Sequence, residues 1–135
     1  MKFLKRTLIV LFSIVALLLI VALFVDKKYH VERSVVINRP VDEVFDYARF
    51  IKNQDEYSVW NKMDPNMKKT YKGTDGRVGF VYAWDSKNED VGAGEQEIKS
   101  ISEGSRIDCE LRFKRPYESM AATYLETTAK SAGST

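Results

Sequence analysis

Ser105-Arg106-Ile107-Asp108-Cys109-Glu110-Leu111-Arg112-Phe113-Lys114 is the stretch whose reading decides the fold. Ile107, Cys109, Leu111 and Phe113 alternate with Asp108, Glu110 and Arg112. Side chains on a strand point to opposite faces in turn, so this period of two predicts a strand with one buried and one wet face. Working outward, Glu103-Gly104 before it and Pro116 after it are breakers. Strands are predicted on either side, over Gly92 to Ser102 and Glu118 to Glu126. Further upstream, Val78 to Asp85 and Met67 to Lys72 read as two more, joined by a turn at Asp75-Gly76. Ser86 to Asp90 is a polar turn, and Lys130 to Thr135 has turn composition. The second half of the chain is therefore an antiparallel meander.

The first half reads differently. Tyr29 to Ile37 is rich in β-branched residues and predicts a first strand, closed by Asn38-Arg39-Pro40. Pro40 suits a helix start, where its missing N–H costs nothing, and Asp42 and Glu43 favour the positive end of the helix dipole. Val41, Val44, Phe45 and Ala48 keep the spacing of one apolar helix face. A short helix or turn is expected over Asn53 to Trp60, and Asp64-Pro65 stops it. Leu8 to Val25 carries no charge and one hydroxyl, Ser13. At ~1.5 Å per residue the run spans roughly 27 Å, close to the hydrocarbon thickness of a bilayer. A cleaved signal peptide has a shorter apolar core and a small-residue cleavage site, and Ala22-Leu23-Phe24 is a poor one. The expectation is one uncleaved membrane span, giving a basic flank over 1–7, an anchor over 8–25 and a folded domain over 26–135. Lys2, Lys5 and Arg6 ahead of the span favour a cytoplasmic N-terminus and an extracytoplasmic domain, although Lys27, Lys28 and Arg33 follow it.

Charge narrows the functions open to that domain. The 135-residue chain has 21 basic and 19 acidic residues, for a net charge of +2. Three of the basic residues precede the span, so the remainder is close to neutral, without the concentrated basic face a nucleic-acid binder needs. Cys109 is the only cysteine and His30 the only histidine. No disulfide within the chain and no zinc set of the usual kind follows from them, and no metal or cofactor is expected. Cys109 falls on the apolar face of its strand and reads as a buried thiol; His30 reads as a surface residue. Glu95, Glu97 and Lys99 share a face and read as a solvated, ion-paired surface. Gly73, Gly76, Gly79, Gly92 and Gly94 follow no phosphate-loop spacing and read as turn and bulge glycines.

The aromatic residues are the candidates for binding. Phe80, Tyr82 and Trp84 alternate along one strand and so share a face. Tyr71, Leu111, Phe113 and Tyr124 come from neighbouring strands, and Trp60 from the helical segment. Together they read either as plain core or as the lining of an apolar ligand site, in which Tyr82 and Tyr124 offer hydroxyls. Alternation alone leaves open whether Phe80, Tyr82 and Trp84 or Gly79, Val81 and Ala83 face inward.

The segments YHVERSVVINRPVDEVFDYARF (29–50), YSVWNKMDP (57–65), YKGTDGRVGFVYAW (71–84) and RFKRPYES (112–119) resemble, in this order, bacterial SRPBCC proteins. These belong to the START-like superfamily, often labelled polyketide cyclase/dehydrase and lipid transport proteins. The resemblance implies an α+β helix-grip domain: a strand, two short helices, then a curved antiparallel sheet around an apolar cavity. It also implies a hydrophobic small molecule or lipid as ligand, beside a membrane, without catalysis. A cyclase or aromatase-type enzyme is the competing expectation, and a third is an envelope protein that docks a partner, or a second copy, on an exposed sheet. The chain departs from the family at Lys52 to Tyr57, where Gln54 and Asp55 replace a customary Trp and Pro. The family pattern also continues into a further strand and a long C-terminal helix, so the sequence as given is expected to be incomplete.

Overall fold

The computed structural model describes residues 2–25 and 30–130. The expected linker over 26–29 and the end of the chain over 131–135 lie outside the described residues. The chain divides into two units, Met1–Val36 and Ile37–Thr135.

The first unit is dominated by helix α1, Lys2–Phe24. Its 18-residue apolar window has a mean hydropathy of 3.1, and none of that window is buried, so α1 is long and apolar enough to cross a membrane. The hydroxyls of Thr7 and Ser13 donate back to the carbonyls of Phe3 and Ile9 at 3.1 and 2.8 Å. Neither is left to be solvated by the helix's surroundings, which is what an apolar environment demands. Of the strand expected over Tyr29 to Ile37, the described residues His30 to Ile37 run without ladder pairing. β-branched composition says that side chains tolerate a pleated backbone, but a strand forms only where another backbone supplies its hydrogen bonds.

The second unit is α+β. Helix α2, Val41–Ala48, buries Phe45 and Ala48, the expected apolar stripe, and Pro40 stands at its N-cap. A 3₁₀ turn over Ile51–Asn53 leads into α3, Gln54–Tyr57, and α4, Val59–Met63. Five strands follow: β1 Lys68–Lys72, β2 Val81–Asp85, β3 Ala93–Ser102, β4 Arg106–Arg115 and β5 Ser119–Glu126. They form one antiparallel sheet in the order β1-β2-β3-β4-β5. β2 starts three residues later than Val78 because two consecutive turns, Thr74–Arg77 and Arg77–Phe80, are closed by backbone hydrogen bonds there. Gly79 sits in the second with φ +86°, which a residue with a Cβ rarely adopts. Bulges interrupt the β3–β4 ladder between Ala93 and Gly94 and between Ile98 and Ser100.

The sheet has two chemically distinct faces. Phe45 and Ile51 pack with Phe80, Tyr82, Ile98, Ile107 and Cys109 into the core, with Trp84 and Ile101 against it. On the other face Arg112 bonds Glu95, Glu97 and Glu110 at 2.7, 2.7 and 2.5 Å, and Lys114 and Lys99 pair with Glu95 and Glu97. Arg115 with Asp85, and Arg106 with Asp108 and Glu126, extend these pairs. The helices are clipped to the β1–β2 connection by Asp75, whose carboxylate accepts from the backbone N–H of Ile51 at 2.8 Å and of Lys52 at 3.2 Å. Arg49 adds bonds to Glu103 and the Gly76 carbonyl.

Candidate ligand-binding face

The sheet register settles which side of β2 faces inward. Tyr71 lies opposite Tyr82, Tyr82 opposite Gln96, and Gln96 opposite Leu111. One step along, Trp84 lies opposite Gly94 and Gly94 opposite Phe113. Phe80, Tyr82 and Trp84 therefore face the core side, with Phe80 and Tyr82 buried, while Val81 and Ala83 share the side of the ion pairs. Their rings make a continuous row. Tyr71 stacks on Phe80 at 6.3 Å between centroids and tilts against Tyr82 at 5.5 Å; Tyr82 meets Trp84 at 6.3 Å. Trp84 meets Phe113 edge-on at 6.0 Å. These are the separations at which aromatic quadrupoles attract.

The last contact depends on a glycine. Trp84 and Phe113 sit on β2 and β4, separated by β3, and strands are ~4.8 Å apart. Gly94 lies between them and presents no side chain. A Cβ there would stand 2.8 Å from the Trp84 ring and 2.7 Å from the Arg112 carbonyl. The indole thus lies across β3, and its N–H donates to the Val91 carbonyl at 3.3 Å.

Beneath the helices a polar knot gathers on Tyr82, in the middle of the row. The Tyr82 hydroxyl donates to Asp55 Oδ1 at 3.2 Å and accepts from the Asn61 amide at 3.2 Å. Asn61 also donates to Asp55 Oδ1 at 2.5 Å, and Lys69 Nζ lies 2.9 Å from Asp55 Oδ2. Burial first, and then the Asp55 carboxylate, push the Tyr82 phenol well above its ordinary range, so it stays protonated as a donor. Burial likewise raises the Cys109 thiol, consistent with the reading of an inert core cysteine.

Six of the eight expected residues share this face: Tyr71, Phe80, Tyr82, Trp84, Leu111 and Phe113. Tyr124 does not. It lies opposite Asp108 on the charged side, with the Arg106 guanidinium 3.8 Å above its ring. Its position is one residue off the inward set, because Thr123 and Leu125 take the inward positions opposite Cys109 and Ile107. Trp60 is also apart from the row, on α4 and 60 % exposed. The idea that Tyr82 and Tyr124 would present hydroxyls to a ligand needs correcting accordingly: the first is engaged by Asp55 and Asn61, and the second is on the other face. Asp55, Asn61 and Lys69 were missed. Their only sequence signal was the Gln54-Asp55 departure, since the partners lie 6 to 27 residues away.

Towards β5 the face becomes more open. Leu111 and Phe113 are half-buried, and Ala121 and Ser119 opposite them are exposed. A hollow of ≈ 200 Å³ walled by Lys68, Thr70, Ala83, Trp84, Asp85, Ala93, Gly94 and Lys114 lies largely on the ion-paired side of the sheet, so it is not a chamber of the ring row. Ligand pockets usually hold about 300–1,000 Å³, so what the described residues offer is an apolar face rather than a closed chamber. Comparison with protein-family models, with curated proteins and with solved structures returned no match.

Proposed function

We propose that this chain is a non-catalytic binding module for a hydrophobic small molecule or lipid, of the START-like kind, tethered to a membrane by α1 with its domain on the extracytoplasmic side. The observation that carries the reading is the ring row from Tyr71 to Phe113. It is covered by helices at Phe80 and by the polar knot at Tyr82, and is half-open at Leu111 and Phe113. An apolar guest laid over the open end would bury the exposed parts of Trp84, Leu111 and Phe113 at about 25 cal/mol per Å² of apolar area. The knot argues for binding over chemistry. Asp55 already receives three partners, so its carboxylate is held in place rather than poised over the face.

The full chain, purified in a mild non-ionic detergent, is extracted with chloroform–methanol and the extract is analysed by mass spectrometry. A lipid or other apolar compound retained in stoichiometric amount is expected. In a Trp60→Phe variant, where Trp84 is the sole indole, its emission shifts to the blue as the eluted compound is added back. No retained compound and an unmoved Trp84 spectrum would sink the proposal.

A further inference from the structure

Helix α4 is polar inside and apolar outside. Asn61 is 9 % exposed and bonded inward to Asp55 and Tyr82, while Val59, Trp60 and Met63 are 69, 60 and 41 % exposed. A surface helix normally shows the opposite arrangement. Val59 and Met63 are four residues apart and Trp60 and Met63 three, so the three form one outward face. The inward bonds of Asn61 fix that orientation.

We infer that this face of α4 is a docking surface for a lipid bilayer, with Trp60 seated in the headgroup region and Val59 and Met63 just below it. Indole is amphipathic and favours the membrane interface over both bulk water and hydrocarbon. Charge around the face is mixed: Lys62 forms no ion pair among the described residues, Asp55 is neutralised by Lys69, and Glu56 and Asp64 keep their charge while accepting from the hydroxyls of Tyr47 and Ser86. The contact therefore rests on the apolar side chains and the indole rather than on attraction to anionic headgroups. Reach is adequate as well. Sixteen residues separate Phe24 from Val41, at most about 60 Å fully extended, so a bilayer held by α1 is always near and a weak contact suffices. The inference rests on the tether reading above, and not on the ring row.

The test places the full chain in nanodiscs whose phosphatidylcholine and phosphatidylglycerol carry brominated acyl chains, with unbrominated discs as reference. In a Trp84→Phe variant, Trp60 emission is expected to fall by half or more in the brominated discs. The loss should persist in 0.5 M salt, as contact through apolar side chains requires. In the Trp60→Phe variant, Trp84 serves as the comparison. A chain that fails to co-elute with the discs overturns the tether. Co-elution with Trp60 unquenched overturns the docking alone, and quenching of Trp84 without Trp60 leaves the ligand face standing and the docking refuted. Should Trp84→Phe unfold, a nitroxide at Met63→Cys reports instead, the native thiol Cys109 being buried. Greater accessibility to oxygen than to a soluble nickel complex is expected, and the reverse order rejects the inference.

Discussion

Asp55 is the side chain on which the helical layer and the sheet meet. Its Oδ1 receives Asn61 and Tyr82, and its Oδ2 receives Lys69. Replacing it with alanine leaves a buried amide, a buried phenol and a mostly buried ammonium without their acceptor. That costs more than the bonds themselves contribute. Asp55→Ala should lose about 2–3 kcal/mol in urea unfolding. Tyr82→Phe, which removes the donor to Asp55 and the acceptor for Asn61 but leaves Asn61 on Asp55, should lose about 1 kcal/mol. The double variant should fall short of the sum, because the two act on one knot. The phenol also sets an alkaline limit. Its folded pKa lies above the unfolded 10.0, so its contribution is complete below pH 10 and decays as pH rises towards the folded value. Tyr82→Phe should flatten the stability curve on that side. None of this was readable along the chain: an aspartate in KNQDEY announces a departure, and only the fold brings Lys69 and Tyr82 to it.

Strands were the legible elements, and β4 the most legible of them, because alternating chemistry and alternating geometry have the same period. The predicted ends held to within one residue for β1, β3, β4 and β5. β2 missed by three, where two turns needed Gly79 and no periodicity marks a turn pair. His30 to Ile37 failed for a different reason, since pairing partners are not encoded in a segment's own composition. The outer face of β3 was also expected to be ion-paired, though its centre, Arg112 on the wet face of β4, was not. Lys114 and Arg112 hold the Glu95 carboxyl below the ordinary carboxylate range, and Arg112 and Lys99 do the same for Glu97. With folded pKa values depressed, this stabilisation is present above pH 4.5 and lost as pH falls through the folded values. Arg112→Met should cost about 1 kcal/mol at neutral pH and make the acid limb of the stability curve shallower, as followed by far-UV circular dichroism between pH 7 and pH 2.

At the scale of the whole chain, the two units carry their apolar side chains differently. The second carries its apolar side chains to a sheet face and its charges to the opposite one. The first turns apolar side chains outward all round α1 and settles its two hydroxyls on its own backbone. If the bilayer is the solvent of α1, the chain should remain in the membrane pellet after alkaline carbonate extraction. Leu17→Arg combined with Leu18→Arg places two charges mid-helix at a cost of roughly 5–7 kcal/mol. That variant should move to the supernatant while its domain keeps the wild-type sheet signal. Retention of the doubly charged variant in the pellet would mean that something other than insertion holds the chain there.

Gly94 ties the smallest scale to the largest. The continuity of the ring row is encoded at a position with no side chain, where even one methyl group would collide with the indole that crosses it. Sequence drift is therefore constrained unevenly. Trp84 and Phe113 have room to exchange for other large apolar residues without dividing the stripe, whereas the residue between them has no conservative replacement at all. A descendant that lost this glycine would keep every aromatic residue, yet it would have to part β3 from the Arg112 carbonyl of β4 and turn the indole aside, leaving two separate apolar islands in place of one surface.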